Sequence, residues 1–255
     1  MNSKKIVGRS SIWMDKPSPY CPGCGHGIIH RLICELLEEF NLADNCVFMA
    51  PVGCSILAYT LLDLDVCQPA HGRTPAAATG VKRARPDTFV VSYQGDGDLA
   101  AIGTAEIIHA ANRGENFTTV FVNNAIYGMT GGQMAPTTLA GQKATTCPNG
   151  RDPSQGMGFP IRVCEMLQSL GGVTYLARTA VNSAANVNRT RSALKKAFEV
   201  QINKQGFSLV EIVSHCPVNW HMTPLESLEF VEKQMLAYYR LGEFKVNGEA
   251  VNPAT

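Results

Sequence analysis

The segment Phe89 to Gln133 reads FVVSYQGDGDLAAIGTAEIIHAANRGENFTTVFVNNAIYGMTGGQ, and the order of its elements decides the fold. Phe89 to Tyr93 is an apolar, β-prone run that leads into Gly95-Asp96-Gly97. An Ala/Ile/Leu-rich stretch with helical character follows. A second β-prone run, Thr118 to Val122, stops at Asn123-Asn124. Strand, glycine turn, helix, strand predicts a βαβ unit whose two strands are parallel. Both strands then end on one edge of the sheet, the edge where open α/β folds bind ligands.

Each residue of Gly95-Asp96-Gly97 has a task if that ligand is a magnesium diphosphate. Glycines let backbone N–H groups approach phosphates with no Cβ in the way, and the next helix presents its positive end. Magnesium takes hard oxygen ligands. Asp96 offers a carboxylate, Asn124 an amide oxygen, and Ile126 a backbone carbonyl. The 25 residues from 98 to 122 between Gly97 and Asn123 hold one crossover helix and one strand.

Working outward, Tyr20 to Gly27 is a tight loop, YCPGCGHG, feeding an amphipathic helix with Ile29, Leu32, Ile33, Leu36, Leu37 and Phe40 on one stripe. Cys46 to Ala50 reads as a short strand that turns sharply at Val52-Gly53-Cys54-Ser55. His71-Gly72-Arg73 precedes an Ala-rich helix from about residue 75 to 84. Residues 134–158 form a long Thr/Gly/Pro-rich loop of the kind that covers a site or a partner. Helix, strand, helix and strand follow to Ser214, then His215-Cys216-Pro217, and a last helix is expected over about 225–241. The alternation predicts one α/β domain over residues 21–241, a doubly wound, mainly parallel sheet with helices on both faces. Residues 1–20 are expected to be an N-terminal arm and 242–255 a C-terminal tail.

Charge and composition exclude several function classes. Lys and Arg number 22 against 21 Asp and Glu, so there is no basic field for nucleic acid. Apolar runs are too short to span a bilayer, and residues 1–6 lack a signal-peptide core. A cytoplasmic location is the expectation, with neither nucleic acid nor membrane as a partner.

Nine cysteines without a secretory signal point away from a disulfide framework. Cys21 and Cys24 share a Pro-Gly loop, while Cys54 and Cys216 each follow a predicted strand and reach the Asp96 edge. Four thiolates there suit either Zn²⁺ or a [4Fe–4S] cluster. The remaining five lack such loops and read chiefly as buried thiols.

Taken together in order, Cys21-Pro-Gly-Cys24-Gly, Gly53-Cys54-Ser55, His71-Gly72-Arg73 with Ala78-Thr79-Gly80, Gln94-Gly95-Asp96-Gly97-Asp98, Asn123 to Gln133 and Cys216-Pro217 resemble the β subunit of a 2-oxoacid:ferredoxin oxidoreductase. The resemblance covers roughly residues 15–240. It implies thiamine diphosphate with Mg²⁺ on Asp96, Asn124 and the Ile126 carbonyl, and a [4Fe–4S] cluster on Cys21, Cys24, Cys54 and Cys216. It implies that Val52, Gly53, Cys54, Ser55, His71, Gly95, Gly97, Asp98, Asn124, Gly128 and Met129 line the cofactor. The implied reaction is CoA-dependent oxidative decarboxylation of a branched-chain 2-oxoacid or 2-oxoglutarate, with electrons leaving singly to ferredoxin.

No catalytic residue is assigned in this chain. The glutamate that activates thiamine is expected from an α subunit, with γ and δ subunits as further candidate partners. Two other readings compete, a subunit of a non-redox thiamine diphosphate decarboxylase and a zinc-stabilised binding module. His215 and His221 are candidates to tune a cluster. Lys143 and Arg151 are candidates to meet a substrate carboxylate.

Overall fold

The computed structural model describes residues 8–252; residues 1–7 of the expected arm and 253–255 of the expected tail lie outside them. Its strands are β1 (Cys46–Met49), β2 (Asp65–Cys67), β3 (Phe89–Gly95), β4 (Thr118–Asn123), β5 (Val173–Ala180), β6 (Phe207–Val213), β7 (Gly242–Val246) and β8 (Glu249–Ala250). They form one eight-stranded sheet in the order β2-β1-β3-β4-β6-β5-β7-β8. The pairs among β1 to β6 are parallel, and β7 and β8 are antiparallel additions. This is a doubly wound α/β fold.

Alternating side chains along each strand feed two cores, as the two-residue period of a strand requires. On one face Phe48, Val91, Tyr93 and Ile212 pack against Ile29, Leu32, Ile33, Leu36 and Leu37 of α1 (His26–Glu39) and against Leu194 and Phe198 of α5 (Ala184–Ile202). Cys34, off the predicted stripe, is buried there too. On the other face Met49, Val90, Phe121 and Leu209 meet Ala78 of α2 (Thr74–Ala84), Ile107 of α3 (Thr104–Asn112) and Leu167 of α4 (Val163–Gln168). Of the arm, Ile12 is buried and Trp13 bridges Leu62, so this part lies along the body.

Three expectations need correction. The sequence predicts a tail over residues 242–255, yet Gly242–Val246 extends the sheet against β5, and Phe244 enters the second core. Its Glu-Phe-Lys-Val alternation is too short to stand out from the sequence around it. The crossover helix does not start as an α-helix. A five-residue π-turn, Asp98–Ile102, comes first, closed by the Gly103 N–H donating to the Asp98 carbonyl. Gly72 and Gly103 approach so closely that a Cβ on Gly72 would lie 2.8 Å from the Gly103 nitrogen. The last helix also breaks up. The capped α7 (Pro224–Phe230) runs into a π-turn, Val231–Met235, and then α8 (Leu236–Tyr238).

Candidate active site

Because β1, β3, β4 and β6 are parallel, their C-terminal ends open on one edge, and β1 lies where the chain winds first one way to β2 and then the other to β3. That reversal leaves a crevice, here a cavity of about 230 Å³. The end of β1 contributes Val52, Gly53, Cys54 and Ser55, and the loop before α2 contributes His71. The end of β3 brings Gly95, Asp96, Gly97 and Asp98. The end of β4 brings Asn124, Ile126, Gly128 and Met129.

Asp96 is 4% exposed. One of its oxygens accepts from the Gly97 N–H at 2.9 Å; the other accepts from the Ile126 N–H at 3.1 Å and the Thr137 hydroxyl at 2.8 Å. The same Ile126 N–H reaches the Asn124 amide oxygen at 3.2 Å, so a carboxylate and an amide oxygen converge on one backbone group. Between them Ala125 takes the left-handed conformation, φ 57°, held by the Asn123 side chain accepting from its N–H. A non-glycine residue in that region marks a locally imposed turn. Burial pushes the Asp96 carboxyl up to about 7, against the opposing hydrogen bonds from Thr137, Gly97 and Ile126. Among the described residues no Lys, Arg or His forms an ion pair with it. A buried carboxylate lacking a counter-charge, beside a converging amide oxygen, fits a divalent cation such as Mg²⁺.

The glycines fit a diphosphate. A Cβ on Gly95 would project into open space, and one on Gly97 would lie 2.8 Å from the Tyr127 ring. Both positions keep backbone exposed to the cavity for close approach. Asp98 lines the cavity but spends its carboxylate on the protein. It accepts from His71 Nδ1 at 2.7 Å, Gly72 N–H at 2.6 Å, Gln94 Nε2 at 2.6 Å and the Thr74 hydroxyl at 3.3 Å. Its role is to hold His71 at the rim.

A second cavity, of about 360 Å³, is lined by Cys21, Cys24, Cys54 and Cys216. The Cys21–Cys24 loop docks on the end of β6 through the Gly25 N–H donating to the His215 carbonyl at 3.4 Å. The sulfurs of Cys54 and Cys216 each lie 3.5 Å from the point a Cβ on Gly128 would occupy. Burial pushes the Cys24 thiol up to about 12 despite a hydrogen bond from the His26 N–H, with Cys216 and Cys21 adding to the rise. Cys54 also stands at about 12, through burial and then the other three thiols. Sulfurs that raise one another's pKa lie near one another, and as neutral thiols they would have to lose protons to bind a metal. Among the described residues no trio of His, Cys, Asp or Glu side chains closes tightly enough for a single ion. The four thiols line one volume, and such a set suits either Zn²⁺ or a [4Fe–4S] cluster.

The two cavities share His26, Cys54, Asn124, Gly128 and Met129. His26 is fully buried, its Nδ1 hydrogen-bonded to the Tyr93 hydroxyl at 2.5 Å and its ring stacked on Tyr20. Burial, with His215 adding, pulls it down to about 4, so it is neutral at pH 7.

Other candidates fall elsewhere. Arg151 is buried, and its guanidinium donates to the carbonyls of Ala135, Pro136, Thr138, Met157, Gly158 and Phe159. It knots the long loop together and is not available to a substrate. Lys143 is exposed and lines neither cavity. Thr137 carries no signal in the sequence, because it sits 41 residues from Asp96 in a loop without periodicity. His26 and Tyr127 lay within recognised motifs, and their glycine neighbours were the available signal.

The chain matches the family described as "Thiamine pyrophosphate enzyme, C-terminal TPP binding domain" over residues 52–212. It is 44% identical to ketoisovalerate oxidoreductase subunit VorA of Methanothermobacter thermautotrophicus over 92% of this chain and 49% of that protein. The chain thus spans about half the length of that relative. It is 37% identical to 2-oxoglutarate synthase subunit KorB of Methanocaldococcus jannaschii, over 92% of this chain and 86% of that one. Among solved structures, a 2-oxoglutarate:ferredoxin oxidoreductase from Magnetococcus marinus, with 2-oxoglutarate, coenzyme A and succinyl-CoA bound, superposes with a TM-score of 0.75. The identity there is 29%, over 91% of this chain and 74% of that one. With a matching family domain and relatives of this extent, the chain belongs to the thiamine pyrophosphate enzymes, among the subunits of 2-oxoacid:ferredoxin oxidoreductases.

Proposed function

We propose that this chain is the thiamine diphosphate-binding, cluster-carrying subunit of a cytoplasmic, CoA-acylating 2-oxoacid oxidoreductase that passes electrons to ferredoxin. The observation that carries this reading is the adjoining pair of cavities, one built around Asp96 and Asn124 and the other around four thiols. Bound thiamine diphosphate would supply carbanion chemistry at the 2-oxoacid carbonyl, and a [4Fe–4S] cluster one-electron acceptance.

The chain's own residues bind and orient. Gly95 and Gly97 leave room for phosphate against backbone, and Asp96, Asn124 and the Ile126 carbonyl hold Mg²⁺. Cys21, Cys24, Cys54 and Cys216 hold the cluster. Thr137 keeps the Asp96 oxygen aimed, and Asp98 keeps His71 in place. Among the described residues no glutamate lines either cavity, and Glu106 is paired with Arg73. The activating carboxylate therefore comes from a partner α subunit.

A branched, apolar 2-oxoacid suits this site. Val52, Ile102 and Met129 are exposed apolar residues that all line the Asp96 cavity. Among the described residues no Lys or Arg lines it to meet a second substrate carboxylate. The higher identity to the ketoisovalerate protein points the same way.

Anaerobic purification, followed by a visible spectrum and iron and sulfide analysis, tests the cluster. Broad brown visible absorbance that dithionite bleaches is expected for a [4Fe–4S] protein, with iron and sulfide in equal amounts. A colourless, zinc-containing chain would overturn the reading. With the partner added, a panel of 2-oxoacids should favour branched substrates over 2-oxoglutarate, and the isolated chain should be almost inactive.

A further inference from the structure

Cys216 precedes the short helix α6 (Pro217–Trp220), and Asn219 stands one turn on. The turn curls the Asn219 side chain back, so that Nδ2 donates to the Cys216 sulfur at 3.5 Å. Asn219 also packs into the glycine loop that follows Asn124. A Cβ on Gly132 would lie 3.4 Å from its Cβ and Oδ1, and one on Gly128 would lie 3.5 Å from its Nδ2. One half-buried amide thus touches a thiol of the second cavity and the loop that lines the first.

An N–H aimed at a sulfur ligand spreads the negative charge the sulfur carries. A reduced cluster is more negative than an oxidised one, so such a donor favours reduction. A fixed donor also stops the sulfur from swinging toward open solvent.

We propose that Asn219 is a positioning residue that fixes the Cys216 sulfur and raises the reduction potential of the cluster ligated there. This inference rests on the cluster reading above.

The test uses the anaerobically purified chain with its partner subunit. Redox titration followed by electron paramagnetic resonance gives the midpoint potential for the natural protein, Asn219→Ala and Asn219→Asp. Both variants lose the side-chain donor, while Asp keeps the shape that packs on Gly132. Both are expected to lower the midpoint by about threefold to tenfold in the oxidised-to-reduced ratio. At 59 mV per tenfold for one electron, that is on the order of 30–60 mV. A shift in only one of the two variants would show packing or added charge, not hydrogen bonding, and would overturn the proposal.

A measurement on the natural protein covers the case in which a variant loses its cluster. With asparagine labelled in its side-chain nitrogen, pulsed resonance on the reduced cluster should show a coupled nitrogen. Its absence overturns the proposal. Absence of iron and sulfide from the natural protein would overturn the cluster reading itself. Iron present with an unshifted midpoint sinks only the role of Asn219.

Discussion

Two buried acids near the end of β4 are treated in opposite ways. Glu211, on β6, is fully buried, and so is the Arg178 guanidinium that pairs with it at 2.9 Å. Arg178 also meets Glu165 at 2.5 Å, and Glu211 accepts from the Asn123 amide at 2.8 Å. Glu211 thus has a fixed counter-charge inside the fold. Asp96, on the other side of the Asn123-Asn124 turn, has only dipoles around it and a carboxyl raised to about 7. The fold therefore supplies a counter-charge to Glu211 from within and supplies none to Asp96, which is where the proposed function puts Mg²⁺. Stability and binding are divided between neighbouring side chains, Asn123 facing Glu211 and Asn124 facing Asp96.

Removing the internal partner should have the largest effect. Arg178→Met leaves Glu211 buried without a counter-charge, which costs about 3–5 kcal/mol. At about 2–4 °C per kcal/mol for a domain of this size, the melting temperature should fall by roughly 10 °C. Adding Glu211→Gln should restore much of that loss. Equal melting of Arg178→Met and the natural protein would break the contrast.

Asp96→Asn should do the reverse. Mg²⁺-dependent binding of thiamine diphosphate, followed by titration calorimetry, should weaken by about 100-fold or more, above the range seen for supporting residues. The apoprotein should melt no earlier than the natural one at pH 8, because a buried charge without a partner has been removed.

Thr137→Val removes only the hydroxyl that aims the Asp96 oxygen. A weakening of about tenfold in Mg²⁺ affinity is expected, with little change in melting. An unchanged affinity would detach the long loop from the site.

The smallest effect concerns acid. Burial acts to raise the Glu165 carboxyl, but hydrogen bonds and charge from Arg178 outweigh it and hold it below the usual range. A folded pKa depressed in this way gives stability that is present above the ordinary carboxylate value and lost as pH falls through the folded one. Glu165 is about a third exposed, so solvent screening limits the contribution to about 1 kcal/mol or less. Melting curves from pH 7 to pH 3 should fall less steeply for Glu165→Gln. A steeper fall would reverse the sign.

The opening stretch and the α1 stripe were legible because their signals are local. β3 and β4 are strong apolar runs with glycine and amide stops, and a helix period of 3.6 shows in any window. The strands β2 and β7 were not legible. Three and five residues long, they are ordered by pairing with distant strands more than by their own propensity. The π-turn at Asp98 was hidden for a related reason. It follows from the close approach of Gly72 and Gly103, which lie 31 positions apart.

For the site, sequence alone determined which chemistry was on offer. Asp96, Asn124 and the four cysteines each carry donor atoms whose preferences depend on residue type, and parallel strands bring their ends to one edge. Tertiary structure decided which groups remain free to use that chemistry. It spent Asp98 on His71 and Arg151 on the long loop, and brought Thr137 to Asp96 across 41 positions. Those outcomes depend on hydrogen-bond partners gathered from distant parts of the chain, and no local pattern encodes them.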